Sequence, residues 1–393
     1  MSVVTYNFPT RIRFGAGARR ELVQTIQNLG YARPAFVTDT GIAGLPWFGA
    51  LVEDAKATLP TAVYSGVAGN PVGSQVMAGQ KVTREHDADV IIAVGGGAAL
   101  DVAKAIAVMH RHPGTVMDYA WGDGMAPIDP KKLLPIIAIP STAGTGSEVG
   151  RSAVISDDET HQKKIIFDAG LLPRVVLADP EVTLGLPAHI TAATGFDALT
   201  HLVEAFLTHE HHPMCDGIAL EGIRLVAQSI ETAVASAKKL AAGEEVDATA
   251  HLAARSNMLD ASMMGAVAFQ KELGVTHSCA HALSTVADLH HGLANAVMLP
   301  AALRFNAPIV PEKMLRLARI IDPKADDGQV FIDWIVTLRA RTGIPADLSA
   351  LGVGKEHMGD LVSIAVADGC HVYNPRPVSA EDFRALFSEA MGS

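Results

Sequence analysis

Residues 89–107 read DVIIAVGGGAALDVAKAIA, and this stretch indicates the fold class of the first half of the chain. An apolar, β-branched run ends in three glycines, Gly95–Gly97, and an amphipathic helical pattern follows. Glycines let backbone N–H groups approach a ligand closely, and a helix N-terminus adds partial positive charge. The stretch therefore predicts a phosphate-binding strand, turn and helix; the alternative is a tight turn that binds nothing.

A second loop of the same kind follows at residues 136–150, IIAIPSTAGTGSEVG, where an apolar strand runs into Ser, Thr and Gly. Its hydroxyl and N–H groups suit a diphosphate or a nicotinamide. Two such loops at the ends of strands favour a dinucleotide at the point where the strand order of a parallel sheet reverses. Asp39, which ends the run AFVTD, suits a ribose hydroxyl and repels a 2′-phosphate, which favours NAD; alternatively it caps the next turn.

The pattern of apolar and polar residues changes near Leu186–Pro187. Before it, short β-rich segments alternate with helical ones, which predicts a parallel, Rossmann-like α/β sheet. The strand-like segments are residues 35–38, 62–64, 90–94, 134–139, 153–155, 164–167 and 175–178. After it, long stretches with a 3.6-residue period predict an all-helical domain. We therefore expect an α/β dinucleotide-binding domain at residues 1–186 and a helical metal and substrate domain at residues 187–393.

Composition narrows the function classes. Of 393 residues, 49% are apolar and only 19% are charged, which is ample material for large cores. The net charge of -11 disfavours a nucleic-acid binder. No signal-peptide layout and no apolar run of about 20 residues is present, so we expect a cytoplasmic protein without membrane contact. Three scattered cysteines, without a CxxC pair, favour neither disulfides nor a thiolate zinc site.

The second motif is a cluster of histidines. Residues 277–292, HSCAHALSTVADLHHG, hold four of the 16 histidines. Upstream, Asp197 and His201 lie four residues apart in a helical pattern, so both side chains project from one face. A carboxylate and two or three imidazoles suit Fe(II), Zn(II) or Mn(II). The alternatives are an ordinary Asp–His surface pair and hydrogen-bonded histidines in a core.

Taken together, these motifs resemble the iron-containing (group III) alcohol dehydrogenases. The likeness covers GGGAALDVAKA, PSTAGTGSEV, GFDALTH, HSCAH followed by HHGLANAVMLP, and NPRP at residues 374–377. It implies hydride transfer between NAD(H) and a small alcohol or aldehyde, with a homodimer or higher homo-oligomer as the assembly.

The resemblance also assigns site residues. The metal ligands are expected to be Asp197, His201, His277 and His291. His281 is similar to the family's active-site histidine, a proton relay, and Asn70 to an asparagine close to the reacting centre. The cofactor residues are expected to be Asp39, Gly95, Gly96, Gly97, Asp101, Thr142, Thr145, Ser147 and Lys163.

Two positions depart from the family pattern. Ala98 stands where a serine usually follows the three glycines, which removes one hydroxyl contact to phosphate. Residues 281–284 read HALS where many members have HPLG, which changes the expected shape of the pocket.

The substrate and two other classes of function stay open. Lys271 and Arg151 could face an anionic group on the substrate, or they could pair with Glu272 and Glu148 at the surface. A metal- and NAD-dependent synthase of the dehydroquinate synthase type is the alternative enzyme, although its ligand set differs. A non-catalytic metal or nucleotide sensor is a third reading. The short N-terminal run SVVTYNF, residues 2–8, could add to the sheet edge of a partner.

Overall fold

The computed structural model describes residues 6–8 and 10–392. Within this range the chain forms two compact units: an α/β unit, residues 8, 10–142 and 146–183, and a helical unit, residues 6–7, 143–145 and 184–392. The units divide between Thr183 and Leu184, three residues before the expected boundary. The segment Ala143–Thr145 groups with the helical unit, whereas the expected division places it in the α/β domain.

The α/β unit is built on a six-stranded parallel sheet with the order β1-β8-β5-β4-β2-β3. Its strands are β1 Arg11–Phe14, β2 Pro34–Asp39, β3 Ala62–Val67, β4 Val90–Gly95, β5 Ile136–Pro140 and β8 Val175–Ala178. A separate antiparallel pair joins β6 Ser152–Ser156 to β7 Lys163–Phe167. The helices are α1 Leu22–Asn28, α2 Thr40–Ala43, α3 Pro46–Lys56, α4 Gly73–Glu85 and α5 Gly97–Met109.

Strand β4 shows why this sheet is covered on both faces. All six of its residues are buried, and successive side chains enter different cores. Ile91 and Ala93 pack in one core. Val90, Ile92 and Val94 pack in the other. A strand that is buried on both faces has no polar side, which is typical of parallel sheets under helices.

The predicted α/β domain followed by a helical domain is confirmed, with local differences. Strand β1 and helix α3 were not predicted, because a four-residue edge strand with two arginines and a helix after Pro46 carry weak patterns. The β-rich segments near 153 and 164 form the hairpin rather than parallel strands, since a short loop can join antiparallel neighbours only.

The sheet reverses its winding between β2 and β4. The chain leaves β2 toward β3 on one side and leaves β4 toward β5 on the other. The carboxyl ends of β2 and β4 are therefore adjacent at the point where connections diverge, and ligands of open α/β sheets bind there. Asp39 ends β2 and Gly95 ends β4.

The helical unit contains nine α-helices among its described residues. They are α6 Ala188–Leu207, α7 Pro213–Ala241, α8 Ala248–Ala268, α9 Val275–Ala287, α10 His291–Asn306, α11 Pro311–Ile321, α12 Gln329–Thr342, α13 Met358–Ala367 and α14 Ala380–Ala390. Every residue of α6 from Thr191 to Leu207 is buried, so α6 runs through the middle of this unit.

Two helical features differ from the sequence prediction. Helix α10 was missed, because it is apolar on all sides and contains Pro300, which breaks a 3.6-residue pattern. The Ala-rich, charged stretch near residues 236–250 predicts an exposed connection between helices, but helix α7 extends into it, to Ala241. No described helix is both long and apolar enough to cross a membrane. Residues 2–5 of the expected edge-adding N-terminal run lie outside the described residues.

Candidate active site

Three helices of the helical unit bring four metal-binding side chains together. Asp197 and His201 come from α6, His277 from α9, and His291 is the first residue of α10. Each offers one donor atom, and these four atoms all lie within 4.8 Å of one another. The set that the resemblance implied is therefore one cluster in space.

The environment of the cluster suits a cation better than solvent. Asp197, His201 and His277 are each at most 3% exposed. Burial lowers the pKa of His201 to about 4, so its ring is neutral at pH 7 and keeps a lone pair for a metal. Its Nδ1 atom is buried without a hydrogen-bond partner, and 3.8 Å separate it from Oδ1 of Asp197. A buried donor atom without a partner is costly, and a cation at this position would satisfy it.

Asn295 borders the cluster, and sequence reasoning missed it. It is fully buried on α10, four residues after His291, so both side chains lie on one face. Its Nδ2 donates to Oδ1 of Asp197 at 2.9 Å and lies 3.2 Å from Nε2 of His291. The amide thus holds the carboxylate beside the histidines. Asn295 stands in the quoted HHGLANAVMLP motif, which was the available signal.

The loop segment 143–145 also reaches the cluster. Thr145 was predicted to bind the cofactor, but its hydroxyl donates to Oδ2 of Asp197 at 3.2 Å. A Cβ on Gly144 would lie 3.0 Å from Thr194 and 3.3 Å from the same carboxylate oxygen. The loop backbone therefore approaches α6 closely, which a side chain at Gly144 would hinder.

Glu204 forms a hydrogen bond with the ring of His277. Its Oε2 lies 2.7 Å from Nδ1 of His277, and the carboxylate also accepts hydrogen bonds from the backbone at the start of α9. Burial by itself raises the pKa of Glu204, but the hydrogen bonds from His277 and Thr276 bring it below its ordinary value. The glutamate is therefore an anion here.

His281 has a carboxylate partner of its own, Asp368, which was also not predicted. Nδ1 of His281 lies 2.8 Å from Oδ2 of Asp368, while Ser278 donates to Oδ1 at 2.7 Å. Burial opposes ionisation of Asp368, yet these bonds hold its pKa far below its usual range. Because a carboxylate accepts the Nδ1 proton, the neutral ring presents Nε2 as its proton acceptor. The ring stacks on His291 with 5.3 Å between centroids.

Cys370 lies beside this pair, and its donor atom is within 4.8 Å of those of His281 and Asp368. The carboxylate is already occupied by the imidazole, the Ser278 hydroxyl and the backbone N–H of Cys370. Burial raises the pKa of the Cys370 thiol well above its ordinary value, so it is not a thiolate. These three residues therefore form a hydrogen-bonded imidazole–carboxylate pair with a neighbouring thiol.

The glycine turn of the α/β unit has the shape of a phosphate site. Gly95 has φ +146°, where a side chain is strained, and a Cβ there would lie 2.6 Å from Ala99. A Cβ on Gly96 would lie 3.1 Å from Thr142, which follows β5. Helix α5 begins at Gly97, so its N-terminus opens directly after the turn. Ala98 lies in that first helical turn and presents a methyl group.

Asp39 lies beside this turn. Its Oδ1 accepts a hydrogen bond from the backbone of Ile42 at 2.8 Å and so caps α2. Its Oδ2 lies 3.0 Å from the Cβ position of Gly95. The capping alternative is therefore realised, and the second oxygen still lies at the carboxyl end of β4.

The predicted cofactor residues Asp101 and Ser147 are paired with each other. Ser147 donates to Oδ1 of Asp101 at 2.6 Å, and the backbone of Val154 donates to Oδ2 at 3.0 Å. Lys104, fully buried one turn further on α5, donates to the carbonyl oxygen and the hydroxyl of Ser147. Both oxygens of Asp101 are thus used within the protein, where they fasten the second loop to the helix of the first.

The other two predicted positions, Asn70 and Lys163, lie in the α/β unit. Asn70 is exposed in the loop before Pro71. Lys163 opens β7 and pairs in register with Ser156. Their expected roles stay predictions.

Of the two cations considered for an anionic substrate, Lys271 does not qualify. It is 1% exposed, its Nζ lies 2.5 Å from Oδ1 of Asp216, and it also lies 3.4 Å from the carbonyl oxygen of Phe206. Lys271 forms a buried ion pair near the end of α6, so the alternative of a surface pair with Glu272 is not realised either. Arg151 lies over the ring of Phe167 at 5.7 Å.

A parallel sheet with a glycine turn at its switch point in one unit, and four potential metal ligands clustered in the other, are typical of metal- and nucleotide-dependent enzymes. Residues 9–180 match the iron-containing alcohol dehydrogenase family, and residues 191–391 match the C-terminal part of the Fe-containing alcohol dehydrogenase family. The chain belongs to the iron-containing alcohol dehydrogenase family.

Individual proteins agree with this family assignment. A 4-hydroxybutyrate dehydrogenase of Cupriavidus necator is 38% identical, over 97% of this chain and 98% of that protein. A crystal structure of 1,3-propanediol oxidoreductase superposes with a TM-score of 0.90 at 34% identity and covers 99% of this chain and 100% of its own. Sulfoacetaldehyde reductase of Bifidobacterium kashiwanohense, solved with NAD+, has a TM-score of 0.88 at 28% identity, with both chains covered fully. The chain is an oxidoreductase of alcohols and aldehydes.

Proposed function

We propose that this dehydrogenase transfers hydride reversibly between NAD(H) and a small alcohol or aldehyde, with Fe(II) in the cluster of Asp197, His201, His277 and His291. The observation that carries the proposal is the convergence of four donor atoms within 4.8 Å in a largely buried place. A carboxylate with three imidazoles suits Fe(II), and Zn(II) or Mn(II) would also fit this donor set.

The four ligands position a cation, and the surrounding residues keep them in place. A divalent cation bound there would supply Lewis acidity toward an alcohol or carbonyl oxygen. Asp197 accepts hydrogen bonds from Asn295 and Thr145, and the ring of His277 is hydrogen-bonded to Glu204. The protein thereby fixes the donor geometry before a substrate arrives.

His281 is the residue we assign to proton handling. Its Nδ1 is held by Asp368, so Nε2 accepts a proton from an alcohol, or returns one to a carbonyl oxygen in the reverse direction. The charged carboxylate stabilises the imidazolium that this transfer creates. Asp368 is a positioning residue, because it acts on the reaction through His281.

NAD rather than NADP is the proposed cofactor. Asp39 places a carboxylate beside the glycine turn, where it suits a ribose hydroxyl and repels a phosphate at the same position. Gly95–Gly97 and Thr142 would contact the diphosphate through backbone N–H groups and a hydroxyl. The NAD+ bound by the sulfoacetaldehyde reductase supports the same choice.

The substrate class is a small linear alcohol or aldehyde. The relatives named above act on a neutral diol, a hydroxy acid and a sulfonated aldehyde, which argues for testing anionic and neutral compounds together. Arg151 is the remaining candidate cation for an anionic end group, since Lys271 is occupied by Asp216. We further propose a cytoplasmic homodimer or higher homo-oligomer without nucleic-acid or membrane partners.

The test is NADH oxidation by chelator-stripped protein to which Fe(II) is restored under anaerobic conditions. Short neutral aldehydes are compared with analogues of equal length that carry a carboxylate or a sulfonate. We expect turnover that depends on the metal, and the ratio of kcat/KM values ranks the two substrate classes. The His201→Ala variant, which lacks one ligand, should show no turnover that depends on the metal.

Absence of turnover with every aldehyde, although metal and NADH are bound, would contradict the proposal. It would favour an enzyme that regenerates its cofactor within each cycle, as a synthase of the dehydroquinate synthase type does. The family assignment does not favour that alternative.

A further inference from the structure

We propose that Glu204 is a positioning residue for the metal site: its carboxylate fixes the tautomer and direction of His277, so that Nε2 of that ring is delivered as a metal ligand. The inference rests on the proposed metal site and adds a residue outside the four ligands. Glu204 lies on α6, three residues after the ligand His201, and is 4% exposed.

The contact between the two side chains defines the tautomer. Oε2 of Glu204 lies 2.7 Å from Nδ1 of His277. A carboxylate can only accept a hydrogen bond, so Nδ1 carries the proton and Nε2 is left with its lone pair. Nε2 lies on the side of the ligand cluster, where it is 3.4 Å from Nδ2 of Asn295.

The same carboxylate also fixes the helix that carries His277. Glu204 accepts backbone hydrogen bonds from Gly274 at 3.0 Å, Thr276 at 2.6 Å and His277 at 3.3 Å. Gly274 is the N-cap of α9 and has no side chain of its own to cap it. Glu204 thus replaces a local cap with a group from another helix and fixes both the position and the ring of His277.

Glycine at the cap is what permits this approach. A Cβ on Gly274 would lie 2.9 Å from Oε1 of Glu204. The buried charge is compensated by four N–H donors, three from the backbone and one from the imidazole. A carboxylate that binds the far nitrogen of a ligating imidazole raises the basicity of the ligand and so strengthens metal binding.

Replacement of Glu204 by Gln makes the inference testable, because an amide cannot satisfy the same partners. If the amide oxygen takes the place of Oε1, it keeps only the N–H of Thr276, and the NH₂ group faces the N–H groups of Gly274 and His277 as well as Nδ1 of His277, which demands the opposite tautomer with the proton on Nε2. If the amide turns the other way, α9 loses part of its cap. Either arrangement weakens His277 as a ligand.

The experiment measures Co(II) affinity of the apo full-length protein by its visible absorption and by competition with a chromophoric chelator. We expect Glu204→Gln to lower Co(II) affinity by about 10–100-fold. Asp368→Asn is the matched control, since it makes the same chemical change beside His281, which lies on α9 like His277 but is not one of the four proposed ligands. It should leave Co(II) affinity within about twofold of that of the parent protein. This change is smaller than the loss of about 10–100-fold that is expected when a metal ligand loses its hydrogen-bond partner.

A double-mutant cycle separates a role through His277 from a general loss of helix stability. If Glu204 acts through this ring, Glu204→Gln should change Co(II) affinity little in a His277→Ala background, where three ligands remain. An equal loss of affinity in both backgrounds, or no loss in either, would overturn the inference and leave the proposed function standing. A parent protein that binds no Co(II) would overturn the metal site itself and this inference with it.

Discussion

At the scale of single residues, His281 shows how one hydrogen bond assigns a chemical role. The carboxylate of Asp368 takes the Nδ1 proton, and the ring is left with one acceptor atom, Nε2. The ring stacks on the proposed ligand His291 without being part of the four-donor cluster. A group with that placement suits proton transfer better than metal binding.

Replacement of His281 by Gln should therefore separate proton transfer from metal binding. We expect kcat to fall by about 10²-fold or more, because a general acid–base group contributes 10²–10⁴-fold. The affinity for Co(II) should stay that of the parent protein. Steady-state kinetics at saturating metal and a Co(II) titration check the two expectations. A loss of activity that follows a loss of metal would contradict the role.

Asp39 combines two tasks in one carboxylate, and a substitution can divide them. Ser at this position keeps a cap for Ile42 but removes the charge beside the glycine turn. We expect Asp39→Ser to raise the ratio of kcat/KM for NADPH over NADH by about tenfold, which equals about 1.4 kcal/mol.

Asp39→Ala is the matched variant, because it removes both the charge and the cap. Its cofactor ratio should change as in the Ser variant, while its free energy of unfolding should fall by about 1 kcal/mol. An unchanged ratio in both variants would show that Asp39 serves only as a cap.

His110 provides a pH dependence that is independent of the metal site. It is 6% exposed at the end of α5, and burial, followed by the charges of Arg111 and Arg84, lowers its pKa to about 4. The unfolded chain binds this proton near pH 6.5, and the folded chain does not until about pH 4. The contribution to stability is therefore complete above pH 6.5 and is lost as the pH falls toward 4, by about 3 kcal/mol.

The measurement is urea unfolding of the α/β unit between pH 7 and pH 5. His110→Leu should reduce the slope of the unfolding free energy against pH by up to the contribution of one bound proton, because the variant lacks the titrating group. His211→Gln, at an exposed histidine, is the control and should leave that dependence as it was. Equal pH dependence in the parent and the His110→Leu variant would refute the expectation.

At the scale of elements, the metal cluster depends on how closely α10 approaches α6. Gly292 follows the ligand His291, and a Cβ there would lie 2.2 Å from the carbonyl oxygen of Ala193. That neighbour is backbone in the middle of a buried helix, so it cannot move aside as a flexible side chain could. The glycine lets the first turn of α10 pack against the helix that carries Asp197.

Gly292→Ala should consequently displace the start of α10 and lower Co(II) affinity by at least about tenfold. Gly217→Ala is the matched control on α7, because a Cβ there meets no atom within 4 Å. It should leave Co(II) affinity unchanged and stabilise the helix by about 0.5–1 kcal/mol. Circular dichroism verifies that both variants fold, and parent-like Co(II) binding by Gly292→Ala would contradict the packing argument.

At the scale of the whole molecule, the ligand cluster belongs to one unit only. All four donors lie on α6, α9 and α10, so a bound cation joins three helices of the helical unit. Binding to the native state raises its free energy of unfolding by mass action. The α/β unit contributes none of these donors and should not respond in the same way.

A single tryptophan can report on the helical unit. Trp334 lies on α12, whereas Trp47 and Trp121 lie in the α/β unit, so a Trp47→Phe, Trp121→Phe variant isolates its fluorescence. Co(II) at 100 times its Kd should stabilise the transition seen by Trp334 by about 2.7 kcal/mol. The same variant with His201→Ala should show no such gain. A gain that persists without His201 would place the bound metal elsewhere.

Much of this architecture could be predicted from local patterns. Strand β4 and the glycine turn were visible, because continuous apolar runs and glycines are local signals that tertiary contacts do not alter. Helix α10 was not visible, because a helix that is apolar on all sides has no amphipathic period and Pro300 argues against it. The side chains of Glu204, Asn295 and Asp368 were missed, since each acts on a residue that is distant in sequence or on a helix that was not predicted.

The sequence by itself determined the fold class, the two kinds of domain, the family and the four proposed ligands. The fold class and the kinds of domain depend on residue types at short, fixed spacings, whereas the family and the four proposed ligands followed from the resemblance of whole motifs. Only the tertiary structure decided which groups hold the ligands, that Lys271 is a buried ion pair with Asp216, and that the hydroxyl of Thr145 donates to Asp197. These outcomes depend on which helices pack side by side, and the spacing of residues along the chain does not specify that packing.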